Sequence, residues 1–208
     1  MIKKLLVEFV GTFFLVFTAG CTVYSNGEGV IPAIAIGFVL MVMVYAGGHV
    51  SGGHYNPAVS VAAAVRGALT LKDIIPYWIA QILGGVLAAL TAVCVVDVPK
   101  TAVLGDFNVT TLVICEFLFT FALCYVVLHT ATSKDTEGNS YYGLAIGATV
   151  TAGAFATAGS CLGAFNPAVA SGLLTMGAAG CKLVCLTALV NLIAGLSAGY
   201  VYKITSNE

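Results

Sequence analysis

Long runs without a charged side chain divide the chain into segments that predict membrane-crossing helices. A helix needs about 20 apolar residues to span the hydrocarbon core of a bilayer. Two runs, 29–65 and 138–181, are too long for one crossing, so each is expected to contain a break. The resulting six predicted spans are Phe9–Gly27, Pro32–Gly48, Ile74–Val96, Val109–Thr132, Tyr141–Gly159 and Lys182–Tyr202.

Each long run also predicts a short helix that begins at a proline. Ser51-Gly52-Gly53 breaks the first run before a helix at Pro57–Arg66, and a Gly-rich break precedes a helix that starts at Pro167. Pro is favoured at the first helical position, and the Asn before it is a strong N-cap. About ten residues cover roughly 15 Å, half the hydrocarbon thickness. We therefore expect two half-length helices inside the membrane.

The two halves of the chain repeat one another. Three pairs of segments match in the same order at offsets of 108 to 110 residues: Glu8-Phe9-x-x-Thr12 with Glu116-Phe117-x-x-Thr120, Ala35-Ile36-Gly37 with Ala145-Ile146-Gly147, and Asn56-Pro57-Ala58-Val59 with Asn166-Pro167-Ala168-Val169. Each half holds three spans, an odd number, so the second half enters the membrane from the opposite side. The sequence predicts one all-α membrane domain, 1–208, built from inverted repeats at 1–97 and 109–205, with a polar connection, Asp97–Phe107, between them.

Composition supports a membrane protein and excludes other classes. The chain is 60% hydrophobic and 8% charged, whereas soluble domains carry about 25% charged residues. A net charge of −1 gives no reason to expect a nucleic-acid partner. The sequence contains no metal-ligand cluster, no nucleophile–base spacing and no phosphate loop, so we expect neither an enzyme nor a cofactor.

The basic residues predict the orientation. With a cytoplasmic N-terminus, six of the eight fall on the cytoplasmic side, namely Lys3, Lys4, Arg66, Lys72, Lys134 and Lys203, and Lys100 and Lys182 fall outside. This distribution follows the positive-inside rule. Both termini are therefore expected in the cytoplasm.

The two half-length helices predict a pore. Non-helical backbone at the midplane is tolerated where it lines a water-filled path. Converging helix N-termini place about half a positive charge each on that path, which repels cations and protons. The side-chain amides of Asn56 and Asn166 would donate N–H groups to a water or hydroxyl oxygen and interrupt a proton wire. Neutral hydrogen-bonding solutes should pass, and ions should not.

These motifs resemble the aquaporin, or major intrinsic protein, family. The segment from Ser51 to Val59 is similar to the first signature of that family, and Gly163-Ala164-Phe165-Asn166-Pro167-Ala168 is similar to the second. The N-terminal Glu8 to Thr12 and Gln81 also look like the family. The resemblance covers essentially the whole chain. It implies a homotetramer with one pore per subunit and passive transport of water or small neutral solutes.

One position departs from the family pattern. The family normally has Arg directly after the second Asn-Pro-Ala, at an outer constriction, and this chain has Val169. Counted from the resemblance, the ring consists of Ile36, Ala154, Gly163 and Val169. Such a ring is apolar and expected to be wide, which makes glycerol, urea or ammonia plausible solutes. The alternatives are a one-residue slip in the count, or closure by a neighbouring Phe155 or Phe165.

Three ionisable residues invite a function. Glu8 and Glu116 lie inside spans, where such groups are costly and often functional. Proton coupling is one interpretation; the other, which the resemblance also implies, is that each accepts hydrogen bonds from the non-helical loop of its own half. His54 is either a pH gate or a neutral side chain satisfied by loop backbone.

Two other functions remain open at this point. Inverted repeats with broken helices also occur in coupled secondary transporters, but no acidic residue lies near either Asn-Pro-Ala. A structural membrane protein with a closed pore is the third hypothesis, and the small ring residues argue against it. The leading hypothesis is a passive channel.

Overall fold

The computed structural model describes residues 1–24, 29–97 and 107–206, and these residues form an all-helical bundle. The eight α-helices are α1 Ile2–Tyr24, α2 Ile31–Ser51, α3 Pro57–Arg66, α4 Ile74–Val95, α5 Val109–Val127, α6 Tyr142–Ala156, α7 Pro167–Thr175 and α8 Cys181–Thr205. A π-helical segment, Leu128–Thr132, extends α5, and 3-10 turns lie at Leu71–Asp73 and Lys134–Thr136. Most of the predicted connection Asp97–Phe107, and the predicted end of the first span at Gly27, lie outside the described residues.

Five helices in the described part of the chain are long and apolar enough to cross a membrane: α1, α2, α4 with its preceding turn, α5 with its π segment, and α8. The sixth span is shorter than predicted, because α6 has 15 residues and ends at Ala156 rather than Gly159. The chain turns there, with Ser160 N donating to Thr157 O at 2.9 Å. Gly159 lies in the left-handed region at φ +74°, which a continuing helix cannot contain.

The two halves pack as equivalent sets of helices. In each half the first helix packs against the last, α1 on α4 and α5 on α8. The half-length helices exchange partners, since α3 packs on α8 and α7 packs on α4. This is the predicted inverted repeat of six spans and two re-entrant helices. Because each half-helix packs on a span of the other half, the repeats form one body.

Two glycines let the half-helices approach the spans. A Cβ built on Gly85 of α4 would lie 2.8 Å from Ala168 O, and one on Gly195 of α8 would lie closer still to Ala58 O. These glycines are 110 residues apart, as are the two alanines they face. The obstacle is backbone in both cases, which cannot rotate away. Small residues allow such close approach of helices in membranes.

We expect Gly195→Ala to destabilise the protein by about 1–3 kcal/mol, the usual cost of forcing an extra methyl group into a packed interior. The added Cβ would push α3 away from α8 at the start of the half-helix. Thermal stability in detergent, followed by size-exclusion chromatography, measures the effect. Gly48→Ala is the control, because its Cβ would meet only Tyr142 at an ordinary 3.6 Å. Equal stability of the two variants would contradict the packing described here.

Candidate functional site

The N-termini of α3 and α7 meet, and each is capped by its asparagine. Asn56 Oδ1 accepts a hydrogen bond from Ala58 N at 2.9 Å, and Asn166 Oδ1 accepts one from Ala168 N at 2.8 Å. Each asparagine precedes the proline that opens its helix. Capping fixes the side chain, because its oxygen pairs a helix N–H that would otherwise lack a partner. The Pro and Ala residues of both motifs are buried in the packing around this junction.

The two asparagines also bond across the junction. Asn56 Nδ2 donates to Phe165 O at 2.9 Å, and Asn166 Nδ2 donates to Tyr55 O at 2.8 Å. A side-chain amide has two N–H donors, so one on each asparagine is used by the opposite loop. Both asparagines line the cavity described below, although they are only 2% and 3% exposed. The sequence analysis predicted that both asparagine amides face a pore, but it did not predict the hydrogen bonds that fix them to the opposite loop.

The crossing bonds require an unusual backbone at two aromatic residues. Tyr55 and Phe165 have φ angles of +49° and +47°, in the left-handed region that bulky residues rarely adopt. The conformation is held on the side-chain face as well: Tyr55 packs against Gly11, and Phe165 packs against Gly153. Strained backbone of this kind persists where its surroundings fix it, and such positions cluster at functional sites.

Glu8 holds the loop before α3. Its two oxygens accept four hydrogen bonds, and the carboxylate is 0% exposed. The donors are Ser51 Oγ at 2.7 Å, His54 N at 2.9 Å, Tyr55 N at 2.7 Å and Gln81 Nε2 at 2.8 Å. These donors lie at the end of α2, in the loop that follows it, and on α4, all within the same half of the chain. The carboxylate thus pairs donors of this loop, and the loop-supporting role stays the prediction for Glu8.

Glu116 holds the loop before α7 in the corresponding way. It is 0% exposed and accepts from Ala164 N at 3.1 Å, Phe165 N at 2.9 Å and Asn191 Nδ2 at 3.0 Å. Asn191 is a partner that the sequence analysis missed. The internal repeat could have identified it, because Asn191 lies 110 residues after Gln81, which donates a hydrogen bond to Glu8.

His54 is held by a side chain rather than by backbone alone. Its main-chain N–H donates to Glu8, and its Nδ1 lies 3.1 Å from Ser60 Oγ. The ring lies 5.3 Å from the ring of Tyr77. The sequence analysis weighed a pH gate against a neutral histidine satisfied by loop backbone. It did not identify Ser60, which lies one turn into α3 and also accepts a hydrogen bond from Gln81 Nε2.

A cavity of about 310 Å³, which we call the central cavity, runs along the junction of the two half-helices. Its volume gives room for several water molecules. All four residues of the predicted ring line it, together with both asparagines and His54: Ile36, Ala154, Gly163, Val169, Asn56, Asn166 and His54. Of the two alternative closing residues, Phe155 lines this cavity. Phe165 is buried, with its ring 5.6 Å from that of Phe119.

The site offers hydrogen-bonding groups and, as far as the described residues go, no metal-binding cluster. In the part of the chain that the structure describes, no three His, Cys, Asp or Glu residues are grouped to hold a metal ion. The seven cysteines are all free thiols. The arrangement can donate hydrogen bonds to a small polar molecule, and it places two helix N-termini around that molecule.

The fold and the site define a polytopic membrane protein whose two re-entrant helices meet, asparagine to asparagine, inside the bundle. The model of the major intrinsic protein family matches residues 1–202. This chain belongs to the major intrinsic protein family.

Sequence relatives and a solved structure agree with that assignment. Aquaporin NIP3-1 of Arabidopsis thaliana is 40% identical over 166 residues, which cover 72% of this chain and 51% of the relative. Nodulin-26 of Glycine max is 40% identical over 160 residues, covering 72% of this chain and 58% of the relative. The chain thus spans little more than half the length of these relatives. The aquaglyceroporin from Plasmodium falciparum shares the fold, with a TM-score of 0.80, 18% identity, and coverage of 98% of this chain and 96% of that one.

We expect Glu8→Gln to be among the most destabilising conservative changes at this site, costing about 3 kcal/mol. Each oxygen of Glu8 accepts two bonds, one of them from a backbone N–H that cannot turn away. The NH₂ group of glutamine would therefore face a fixed donor in either orientation. Glu116→Gln should cost less. If the NH₂ group takes the place of Oε1, only the hydrogen bond from Ala164 N is lost, whereas either orientation at Glu8 loses two.

Both variants are heated in detergent, and the loss of the folded protein's size-exclusion peak measures their thermal stability. The exposed Glu137→Gln is the control. If Glu8→Gln were as stable as that control, the carboxylate would not be what holds the loop.

Proposed function

We propose that the protein is a passive channel for water and small uncharged solutes. The observation that carries the proposal is the pair of capped asparagines that border one cavity, each with an N–H not used by the opposite loop. A hydroxyl or water oxygen can accept from both donors in turn. The similarity to aquaporins in sequence, and to an aquaglyceroporin in fold, supports the same function. Membership of a family of passive channels likewise agrees with the prediction that the chain is not an enzyme.

The ring of Ile36, Ala154, Gly163 and Val169 would set a broad solute range. All four side chains are apolar, two of them are the smallest available, and all border the central cavity. A ring without a fixed cation offers neither a charge nor a donor to select water. Glycerol, urea and ammonia are therefore proposed as permeant solutes beside water.

Exclusion of ions and protons would rest on the two half-helices. α3 and α7 have ten and nine residues and direct their N-termini at the same point. Their dipole ends act within the first turn, which is where the two asparagines lie. Glu8 and Glu116 do not line the cavity and are occupied by loop donors, so neither is placed to carry protons.

We further propose the assembly and orientation that the sequence analysis predicted. The protein would sit in the lipid bilayer as a homotetramer with both termini in the cytoplasm. The repeats would comprise 1–97 and 109–205, so that Lys4 and Arg66 lie at the cytoplasmic end of the path.

Stopped-flow light scattering on proteoliposomes tests the solute range. We expect the wild type to pass water, glycerol and urea, and Val169→Arg to reduce glycerol and urea flux at least about tenfold more than water flux, since the new cation narrows the ring. A tenfold change corresponds to about 1.4 kcal/mol. Val169→Leu is the matched control, because it adds bulk at the same position without charge.

The flux measurements distinguish the proposed channel from the alternative hypotheses. Water flux alone in the wild type would show that the ring is misplaced and that another side chain narrows the path. Absence of all flux from correctly folded protein would favour a closed-pore structural role.

A second test concerns protons. Proteoliposomes loaded with a pH-sensitive dye should show no proton entry above that of empty vesicles, either alone or during glycerol efflux, because the helix N-termini repel cations. Proton entry that depends on a glycerol gradient would instead indicate a coupled transporter and would contradict the channel proposal.

A further inference from the structure

Two of the seven free cysteines bring their sulfur atoms together on the outside of the bundle. Cys181 is the first residue of α8, Cys185 lies one turn further on, and their sulfurs are 4.0 Å apart. The spacing places both thiols on one face of the helix, because residues four apart are neighbours there. Both side chains are exposed, and neither lines the central cavity. The pair is therefore a separate feature of the molecule, independent of the channel function proposed above.

We propose that Cys181 and Cys185 together bind one soft divalent metal ion, such as Zn²⁺ or Cd²⁺. Thiolates are the protein ligands that soft ions select. A Zn–S bond is about 2.3 Å long and the coordination is tetrahedral, so two thiolates on one ion lie about 3.8 Å apart. The sulfurs of Cys181 and Cys185, at 4.0 Å, need only a small side-chain rotation to reach that separation.

The same spacing disfavours a disulfide between the two cysteines. Cβ atoms four residues apart on a helix are about 5–6 Å from each other, whereas a disulfide requires about 3.5–4.5 Å. Both residues lie in the first two turns of a continuous helix, so a direct bond would require those turns to unwind. A metal ion bridges the two sulfurs and leaves the helix intact.

Binding exchanges protons for the ion and transfers no electrons. Each thiol releases its proton to solvent as its sulfur bonds to the metal, so one divalent ion displaces up to two protons. The ion and two thiolates carry no net charge together, so the ammonium of the neighbouring Lys182 opposes the complex little. Water completes the four coordination positions, because both cysteines are exposed.

The bound ion would fasten the start of α8 to itself, directly after the end of α7. The connection between these helices is short: α7 ends at Thr175, and Ala178 N donates to Leu173 O at 2.9 Å. A ligand that favours the folded chain raises its stability. We therefore expect the metal to raise the thermal midpoint of the protein.

Titration of the whole reduced chain in detergent with Cd²⁺ tests the site, because Cd–thiolate bonds give an ultraviolet charge-transfer band. We expect one Cd²⁺ per chain at this site, and binding at least about a hundredfold weaker in Cys181→Ser and in Cys185→Ser, since the second ligand no longer belongs to the same chain segment. Cys94→Ser is the first control and should bind like the wild type. That cysteine is also exposed, but its sulfur lies 3.3 Å from Leu90 O of its own helix.

A second control separates the geometry of the pair from the number of thiols. Cys185→Ser combined with Leu189→Cys keeps two exposed thiols on α8, because position 189 is 56% exposed, but places them about 12 Å apart along the helix axis. We expect this variant to bind Cd²⁺ as weakly as Cys185→Ser alone, with an unchanged size-exclusion peak.

Three results would overturn the proposal. The first is binding as tight as that of the wild type in the variant with separated thiols. The second is an unchanged charge-transfer band when Cys181→Ser and Cys185→Ser are combined, which would place the ion at other cysteines. The third is ready formation of a disulfide between Cys181 and Cys185 in the folded chain under mild oxidation, detected as the loss of two hydrogens in the mass.

Discussion

Backbone N–H groups inside the membrane are the constraint on which the rest of this structure depends. Lipid offers them no partner, and an unsatisfied group costs several kcal/mol. The loops before α3 and α7 are not helical, so their donors must be paired by side chains. Glu8 and Glu116 do this from within their own halves. A buried carboxylate is expensive when unpaired, but here it replaces the water that those N–H groups would otherwise need.

One carbonyl of each loop accepts a hydrogen bond from the opposite half, and this makes the two repeats interdependent. Tyr55 O accepts from Asn166 and Phe165 O accepts from Asn56. The close packing crosses in the same sense, with Gly195 against Ala58 and Gly85 against Ala168. Neither half could form its re-entrant loop alone, because the acceptor, the donor and the packing surface belong to different repeats.

The sequence predicted this architecture well because its signals are local and duplicated. An Asn-Pro pair specifies a helix start from its own chemistry, and both starts lie where they were expected. The predictions were less accurate where tertiary contacts decide. The length of α6 depends on the turn at Thr157 rather than on hydropathy, which continues to Gly159. The bond of His54 to Ser60 depends on the rotation of α3 against its loop. Asn191 could have been found by applying the 110-residue offset to Gln81.

In the proposed channel, the replacement of the family's usual arginine by Val169 would separate two tasks along the path. Charge exclusion needs only a positive potential, and the field of a helix is strongest within its first turn, where Asn56 and Asn166 stand. Selection by size and by hydrogen bonding needs a constriction, and the proposed apolar ring would supply only size. The amides of Asn56 and Asn166, which are fixed by their caps and border the central cavity, would then supply the hydrogen bonds. Loss of the ring's cation would therefore be compatible with selectivity, because the two tasks would fall on different residues, each fixed by its own contacts.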